Sequence, residues 1–399
     1  MMNQKQLERY ADVLLWGMKT ARSGKFKKND IVQIRYHLTA VRLAEILYAK
    51  LLEMGMNAIL KAEPTSDMEL SFYTISSDRQ LKFNFPGDKV LYEHLNGSIF
   101  LHAPDSITHL SGVDSAKIGK TAVARKYLRD ILTQREEQGA FGWTLCTFPT
   151  EEQAKHAGIP LKTYSDQIVK ACFLNKKNPV EEWRHIYKQA VDLKKRLNRL
   201  KVKAFHVESE NIDLEIVPGD MRKWIGISGH NIPSFELFLS PDMRGTRGVY
   251  YADQPSYRSG NYVEGVRLEF KKGAVVNIEA EAGKAFVTKQ IAMDKGAKRL
   301  GEFSLTDKRF SRITKFMANT LFDENFGGKY GNCHVALGAS YSDTFAGDPK
   351  KLTREKKEKL GFNDSALHWD LVNTENKRVT AHLSDGKKTC IYEGGKFTV

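Results

Sequence analysis

Residues 29–64 read NDIVQIRYHLTAVRLAEILYAKLLEMGMNAILKAEP, and they decide the architecture of the first half of this chain. NDIVQIRYH (29–37) is a run of apolar and β-branched residues bounded by turn formers, which predicts a strand. From Leu43 the apolar positions fall at Leu43, Ala44, Leu47, Leu51 and Leu52, the 3.6-residue period of a helix, with Thr39 placed to cap it. NAILKAEP (57–64) returns to strand chemistry. Strand, helix and strand in this order need a crossover connection, so the two strands are expected to lie parallel.

The same alternation continues outward. GDKVLYEHLN (87–96) leads into the apolar strand SIFLHAP (98–104), and FGWTLCTFPT (141–150) is a further strand. Between them AKIGKTAVARKYLRDILTQREEQ (116–138) predicts one long helix, with Val123, Tyr127, Ile131 and Leu132 on one face. MELSFYTISSDRQLKF (68–83) is ambiguous in period. Upstream, the first residues form an amphipathic pattern burying Leu7, Tyr10, Ala11, Leu14 and Met18. Residues 1–178 are therefore expected to be an α/β domain, a mostly parallel sheet with flanking helices. No GxGxxG or Walker-type loop follows its strands, so no nucleotide site is read there.

PVEEWRHIYKQAVDLKKRLNRL (179–200) carries Pro at its start, acids in its first turn and bases toward its end, the polarity that suits the helix dipole. It is expected to be a helix connecting two domains. Beyond it the period changes. VKAFHVES, DLEIVPG, KWIGISG and ELFLSP (202–241) read as short strands, and VEGVRLEFKKGAVVNIEAE (263–281) as a hairpin about Gly273. AGKAFVTKQIAMDKG (282–296) and SRITKFMANTLFDEN (311–325) read as helices, and 368–399 as antiparallel strands with Asn, Asp and Gly turns. Residues 201–399 are thus expected to be a strand-rich α+β domain.

Composition sets outer limits. The 399 residues are 41% hydrophobic and 28% charged, as in a soluble globular protein. No stretch reaches the roughly 20 apolar residues that cross a bilayer. The start of the chain lacks the basic-then-apolar order of a signal peptide. Four scattered cysteines, Cys146, Cys172, Cys333 and Cys390, contain no CxxC pair and suggest reduced thiols in a cytoplasmic setting. The net charge of +14 is spread along the chain without a zinc-finger, RNP or basic heptad pattern, so a solvated basic surface is expected rather than a specific nucleic-acid partner.

The chemistry concentrates in the second half. LHWDLV (367–372) alternates, so His368 and Asp370 share one side of a strand and Leu367, Trp369 and Leu371 the other. Imidazole and carboxylate side by side suit a first-row divalent ion, and they equally suit an ordinary His–Asp hydrogen bond. CHVALGASY (333–341) offers His334 and Tyr341, with Cys333 either a soft ligand or a small buried filler. NIPSFE (231–236), RLGEFSL (299–305) and FDEN (322–325) add Glu236, Glu302 and Glu324, the last also placed to end a helix. If the four carboxylates met, two dications would balance them while both histidines ligated as neutral rings, and such a pair can activate a water and polarise a carbonyl.

These segments together resemble the M29 family of metallo-aminopeptidases. NIPSFE is similar to that family's N-x-P-x-x-E, KGAKRLGEFSL to its G-A-x-x-L-G-E, and FDEN with HVALGASY to its D-E-N…H-x-A-L-G-x-x-Y. NDSALHWDLV (363–372) resembles N-x-S-x-x-H-x-D, and GWTLCTFPTEEQAKHAGI (142–159) an upstream Pro-Thr segment. One departure is a Gly-rich stretch, FGGKYGNC (326–333), which lengthens the spacing from Glu324 to His334. The resemblance implies release of N-terminal amino acids from peptides by a water activated between two divalent ions, Zn, Co, Mn or Mg. It implies Glu236, Glu302, Glu324, His334, His368 and Asp370 as ligands, Glu302 as bridge, Tyr341 as hydrogen-bond donor to the oxyanion, and a homodimer. Carboxylate-rich pairs of metal ions also serve phosphoesterases and nucleases, and a basic nucleic-acid-binding protein with structural carboxylates is the third reading.

Overall fold

A computed structural model describes residues 2–399. It resolves into two compact units that interleave along the chain. The first takes the residues up to Tyr187 with Ile227–Ser234 and Met317–Leu321; the second takes Lys188–Gly226, Phe235–Phe316 and Phe322–Val399.

The first unit is built on a five-stranded sheet in the order Asn57–Ala62, Ile31–Tyr36, Gly97–His102, Gly142–Thr147, Asn231–Ile232. Every neighbouring pair is parallel. Helices connect its strands, as the alternation predicts. Val32, Ile34, Ile99 and Leu101 are fully buried. The N-terminal helix Gln4–Ala21 starts on a capping box between Asn3 and Gln6 and buries Leu7, Tyr10, Ala11, Leu14 and Met18 as expected. Gly17 on this helix meets Gly229 so closely that a Cβ would lie 2.7 Å from the Gly229 carbonyl oxygen, a contact only glycine permits.

Two local expectations fail here. Thr39 does not cap the next helix, Val41–Glu53; it lies inside a 3₁₀ turn, Leu38–Ala40, and the helix begins without a side-chain cap. The long helix over 116–138 is instead two, Ser115–Ala124 and Lys126–Glu137, meeting at Arg125. Thr121 donates its hydroxyl to the Lys117 and Leu81 carbonyls, and this competition with the backbone ladder weakens the helix just before the break. The ambiguous segment is helical, as Ser66–Ile75 and Asp78–Leu81. Pro179–Arg199 is a continuous helix, the first part of which lies in the first unit and the remainder in the second.

The second unit holds an eight-stranded sheet running from Ala274–Glu279 at one edge to Lys396–Phe397 at the other, and a four-stranded sheet. All pairings are antiparallel. The hairpin about Gly273 turns through Lys272 (φ 51°) and Gly273 (φ 77°), the doubly left-handed turn that matches strand twist. KWIGISG is not a strand. Gly226, Ile227 and Gly229 all have positive φ, and only Ile225 keeps an isolated bridge, to Phe238. The helix expected over 311–325 shrinks to Thr320–Asp323. Its polar residues are drawn into tertiary bonds instead, with Ser311 donating to the Asn325 carbonyl.

Candidate metal centre

The four-stranded sheet runs His368–Asn373, Asn332–Gly338, Leu300–Thr306, Glu236–Leu239. Its register sets Ala336 opposite both Asp370 and Glu302, His334 opposite Ser304, and Thr306 opposite Glu236. Because alternate residues of a strand share a face, Glu236, Glu302, His334, His368 and Asp370 all project from one side of this sheet. The other side carries Leu237, Phe303, Val335, Trp369 and Leu371, all buried. Glu302 reaches the common face through a register shift at Gly301, where a Cβ would sit 2.2 Å from the Ala339 carbonyl oxygen. Glu324 arrives from outside the sheet, one residue past the short helix. Its carbonyl accepts from the Thr306 hydroxyl and the Asn332 amide, which fixes it beside the sheet despite the longer Gly-rich stretch that follows.

All six residues therefore converge. Three overlapping triplets have donor atoms within 4.8 Å of one another: Glu236–Glu302–His334, Glu302–His368–Asp370 and Glu324–His334–Asp370. His334 Nε2 lies 3.1 Å from Glu236 Oε2, 3.3 Å from Glu302 Oε1 and 3.9 Å from Asp370 Oδ1. His368 Nε2 lies 3.4 Å from Asp370 Oδ1 and 3.5 Å from Glu302 Oε2. Tyr341 stands at the rim, 37% exposed, with its ring 4.7 Å from that of His368. Its amide donates to Ser240 Oγ at 2.8 Å, so its position is tied to the Glu236 strand.

Electrostatics follows from gathering these groups away from water. Burial, reinforced by the charge of Glu302, raises Glu236, although His334 pulls the other way. Burial, then the charges of Glu236 and Asp370, raises Glu324 well above the usual carboxylate range. Burial alone would lower both histidines, but the carboxylates win: Glu236 and Glu302 drive His334 well up, and Asp370 lifts His368 to about 10. Asp370, which burial would raise, is held at about 2 mainly by His368. Desolvation and the surrounding carboxylates keep the Tyr341 phenol protonated.

These directions describe a cluster that demands positive charge. Where an imidazole nitrogen and carboxylate oxygens face one another at 3.1–3.5 Å, their lone pairs repel unless a proton or a cation lies between them. Carboxylate oxygens with two imidazoles are the donor set of a first-row divalent ion. His368 is oriented for it: Nδ1 donates to the Ala339 carbonyl at 2.8 Å, which leaves the Nε2 lone pair aimed at the carboxylates. His334 Nδ1 is buried and without a protein partner among the described residues. The residues fit a divalent metal. Cys333 does not join them; it lies on the opposite face from His334, and burial pushes its thiol up to about 11.

Some residues around the site escaped sequence reading. Ser304 donates to Glu236 Oε2 at 2.8 Å, and Asn325 donates to Glu324 Oε1 at 3.4 Å. Arg258 donates to the His368 carbonyl at 2.8 Å. Ser304 was within reach of the sequence, since it follows Glu302 by one strand period. Arg258, on a separate two-stranded hairpin, was not.

Known proteins are similar to this chain along most of its length. Aminopeptidase AmpS of Bacillus subtilis is 30% identical over 327 residues, covering 76% of this chain and 77% of that protein. Aminopeptidase T of Thermus thermophilus is 25% identical over 308 residues, covering 73% and 74%. In structure, wild-type AmpT from Thermus thermophilus superposes with a TM-score of 0.78 over 99% of this chain and 100% of that one at 21% identity, a likeness of fold. Among the described residues no helix is long and apolar enough to cross a membrane. Residues 3–397 match the thermophilic metalloprotease (M29) family from end to end, and the chain belongs to that family.

Proposed function

We propose that this chain is a metal-dependent aminopeptidase that removes single residues from the free amino end of peptides. The observation that carries the proposal is the convergence of four carboxylates and two imidazoles on one sheet face, in a chain of a metalloprotease family whose similar members are named aminopeptidases. Two divalent ions are the reading that best suits the donors, because Glu302, His334 and Asp370 each belong to two of the three triplets. When bound, such ions polarise the scissile carbonyl and lower the pKa of water, which is what amide hydrolysis requires.

The chain's own residues do the rest. Glu236, Glu302, Glu324, His334, His368 and Asp370 would hold the ions. A carboxylate beside the attacking water, Glu302 or its neighbour Glu324, accepts the water's proton and returns it to the leaving amine. The Tyr341 hydroxyl donates a hydrogen bond to the oxygen that gains charge as the carbonyl becomes tetrahedral, a task its place beside His368 allows. Ser304 holds Glu236 and the Ala339 carbonyl holds His368, so neither ligand must reorganise.

A cytoplasmic setting belongs to the same proposal and is supported by four cysteines that are all free thiols. So does a homodimer, for which the family resemblance is the support. The test is an aminoacyl-fluorophore assay on dialysed protein with Zn²⁺, Co²⁺, Mn²⁺ or Mg²⁺ restored singly. Turnover should vanish on dialysis and return with at least one ion. Turnover of nitrophenyl phosphate in place of aminoacyl substrates would overturn the reading.

A further inference from the structure

The donor-bearing face of the four-stranded sheet also presents an aromatic ring, Phe238, that the chemistry above leaves unused. Phe238 follows Glu236 by two residues in the strand Glu236–Leu239, so it stands on the ligands' side of the sheet, opposite Ser304 in register. Its neighbours on that face, Ser304, Thr306, Ala336 and Val372, are buried, whereas Phe238 is only half-buried. Its ring lies 5.6 Å from that of Tyr341 at 60°, and Tyr341 continues the contact to His368. Ser240, the next residue of the same row, accepts from the Tyr341 amide, so the two rings are held in place from one strand. The accessible apolar surface on this face therefore begins at the donors and runs outward over two fixed aromatic rings.

We infer that Phe238, backed by Tyr341, is the wall against which the side chain of the peptide's first residue packs, and that the enzyme selects peptides beginning with an apolar residue. This rests on the aminopeptidase reading and adds the substrate class to it. The side chain of the residue released at this site must lie next to the peptide bond held at the donors, and the two rings stand beside those donors on the same face. Filling an apolar pocket discriminates by roughly 10-fold or more per methylene-sized difference, so an aromatic wall suffices for marked selectivity.

The test compares leucyl, phenylalanyl, glycyl and glutamyl fluorophores on metal-restored protein, and in parallel the calorimetric binding of leucinol and ethanolamine, amino alcohols with no bond to cleave. Wild type should favour leucyl and phenylalanyl substrates in kcat/KM and bind leucinol more tightly than ethanolamine. Phe238→Ala should cut the leucyl-to-glycyl ratio by about tenfold or more and erase the leucinol preference. Phe238→Leu, which keeps an apolar side chain in the strand, should retain the leucyl preference and lose most of the phenylalanyl one; it carries the test if the alanine variant does not fold. Flat side-chain preference in wild type, or equal proportional losses on leucyl and glycyl substrates with the binding ratio intact, would overturn the inference. A wild-type protein that releases no N-terminal residue at all defeats the aminopeptidase reading instead, and the leucinol-to-ethanolamine ratio still reports on Phe238.

Discussion

Two pairs of neighbouring histidines are at least half-buried, and the protein treats them in opposite ways. In the first unit His37 and His102 stand at the carboxyl ends of adjacent parallel strands, with ring centroids 5.4 Å apart. His37 Nδ1 accepts the Ala103 amide at 3.2 Å, Phe100 packs against both rings, and desolvation lowers His37 and takes His102 down to about 3. In the second unit His334 is buried and His368 half-buried, yet both are driven upward, because carboxylates face their nitrogens at 3.1–3.5 Å. Desolvation acts downward on both pairs. What differs is the charge around the ring: carboxylates close on His334 and His368, whereas Arg35 adds to desolvation at His37 and His102, and the charges of Glu63 and Asp105 do not offset it at His37.

The strongest way to break this contrast is to remove the acids or their cation. Glu302→Gln or His368→Ala should lower kcat by at least about a thousandfold, since several kcal/mol of charge stabilisation disappear with a metal ligand. Circular dichroism should show the fold retained, and full activity in either variant would put the chemistry elsewhere. Tyr341→Phe should be the next largest effect, a loss of about 10²–10³ in kcat if its hydroxyl meets the developing oxyanion. Zinc or cobalt at about a hundred times its Kd should stabilise the native protein by roughly 2.7 kcal/mol, seen as a raised thermal midpoint that His368→Ala abolishes.

The smallest effect sharpens the other side of the comparison. The folded-state pKa of His102 lies below its unfolded value, so between pH 6.5 and about 3 the unfolded chain binds more protons and stability falls as the pH drops. Near pH 5 this should cost about 1–2 kcal/mol, less what solvent screens at a half-buried ring. Replacement of His102 by Phe should flatten the acid limb of a urea-melt series without changing metal affinity.

The sequence made some of this visible and hid the rest for physical reasons. Period-two alternation in LHWDLV placed His368 and Asp370 on one face, and the sheet bears that out, with Trp369 and Leu371 buried behind them. The parallel sheet of the first unit was legible because its crossover segments repeat a helical period. Periodicity could not show that the strands carrying Glu236 and Glu302 are neighbours, since strand pairing and register are tertiary properties. It also misjudged 311–325, where helical spacing was outweighed by polar side chains bonding to distant backbone. The opposite fates of His37 and His334 were likewise hidden, because each is a lone histidine at the end of an apolar strand until the neighbouring strands arrive.

Anomalous diffraction from crystals soaked in zinc or cobalt tests the central claim most directly. Strong peaks are expected among Glu236, Glu302, Glu324, His334, His368 and Asp370, at the roughly 2.0–2.2 Å typical of nitrogen and carboxylate ligands, and none between His37 and His102. A map blank at the carboxylate cluster, or with its peak at the His37–His102 pair, would contradict it.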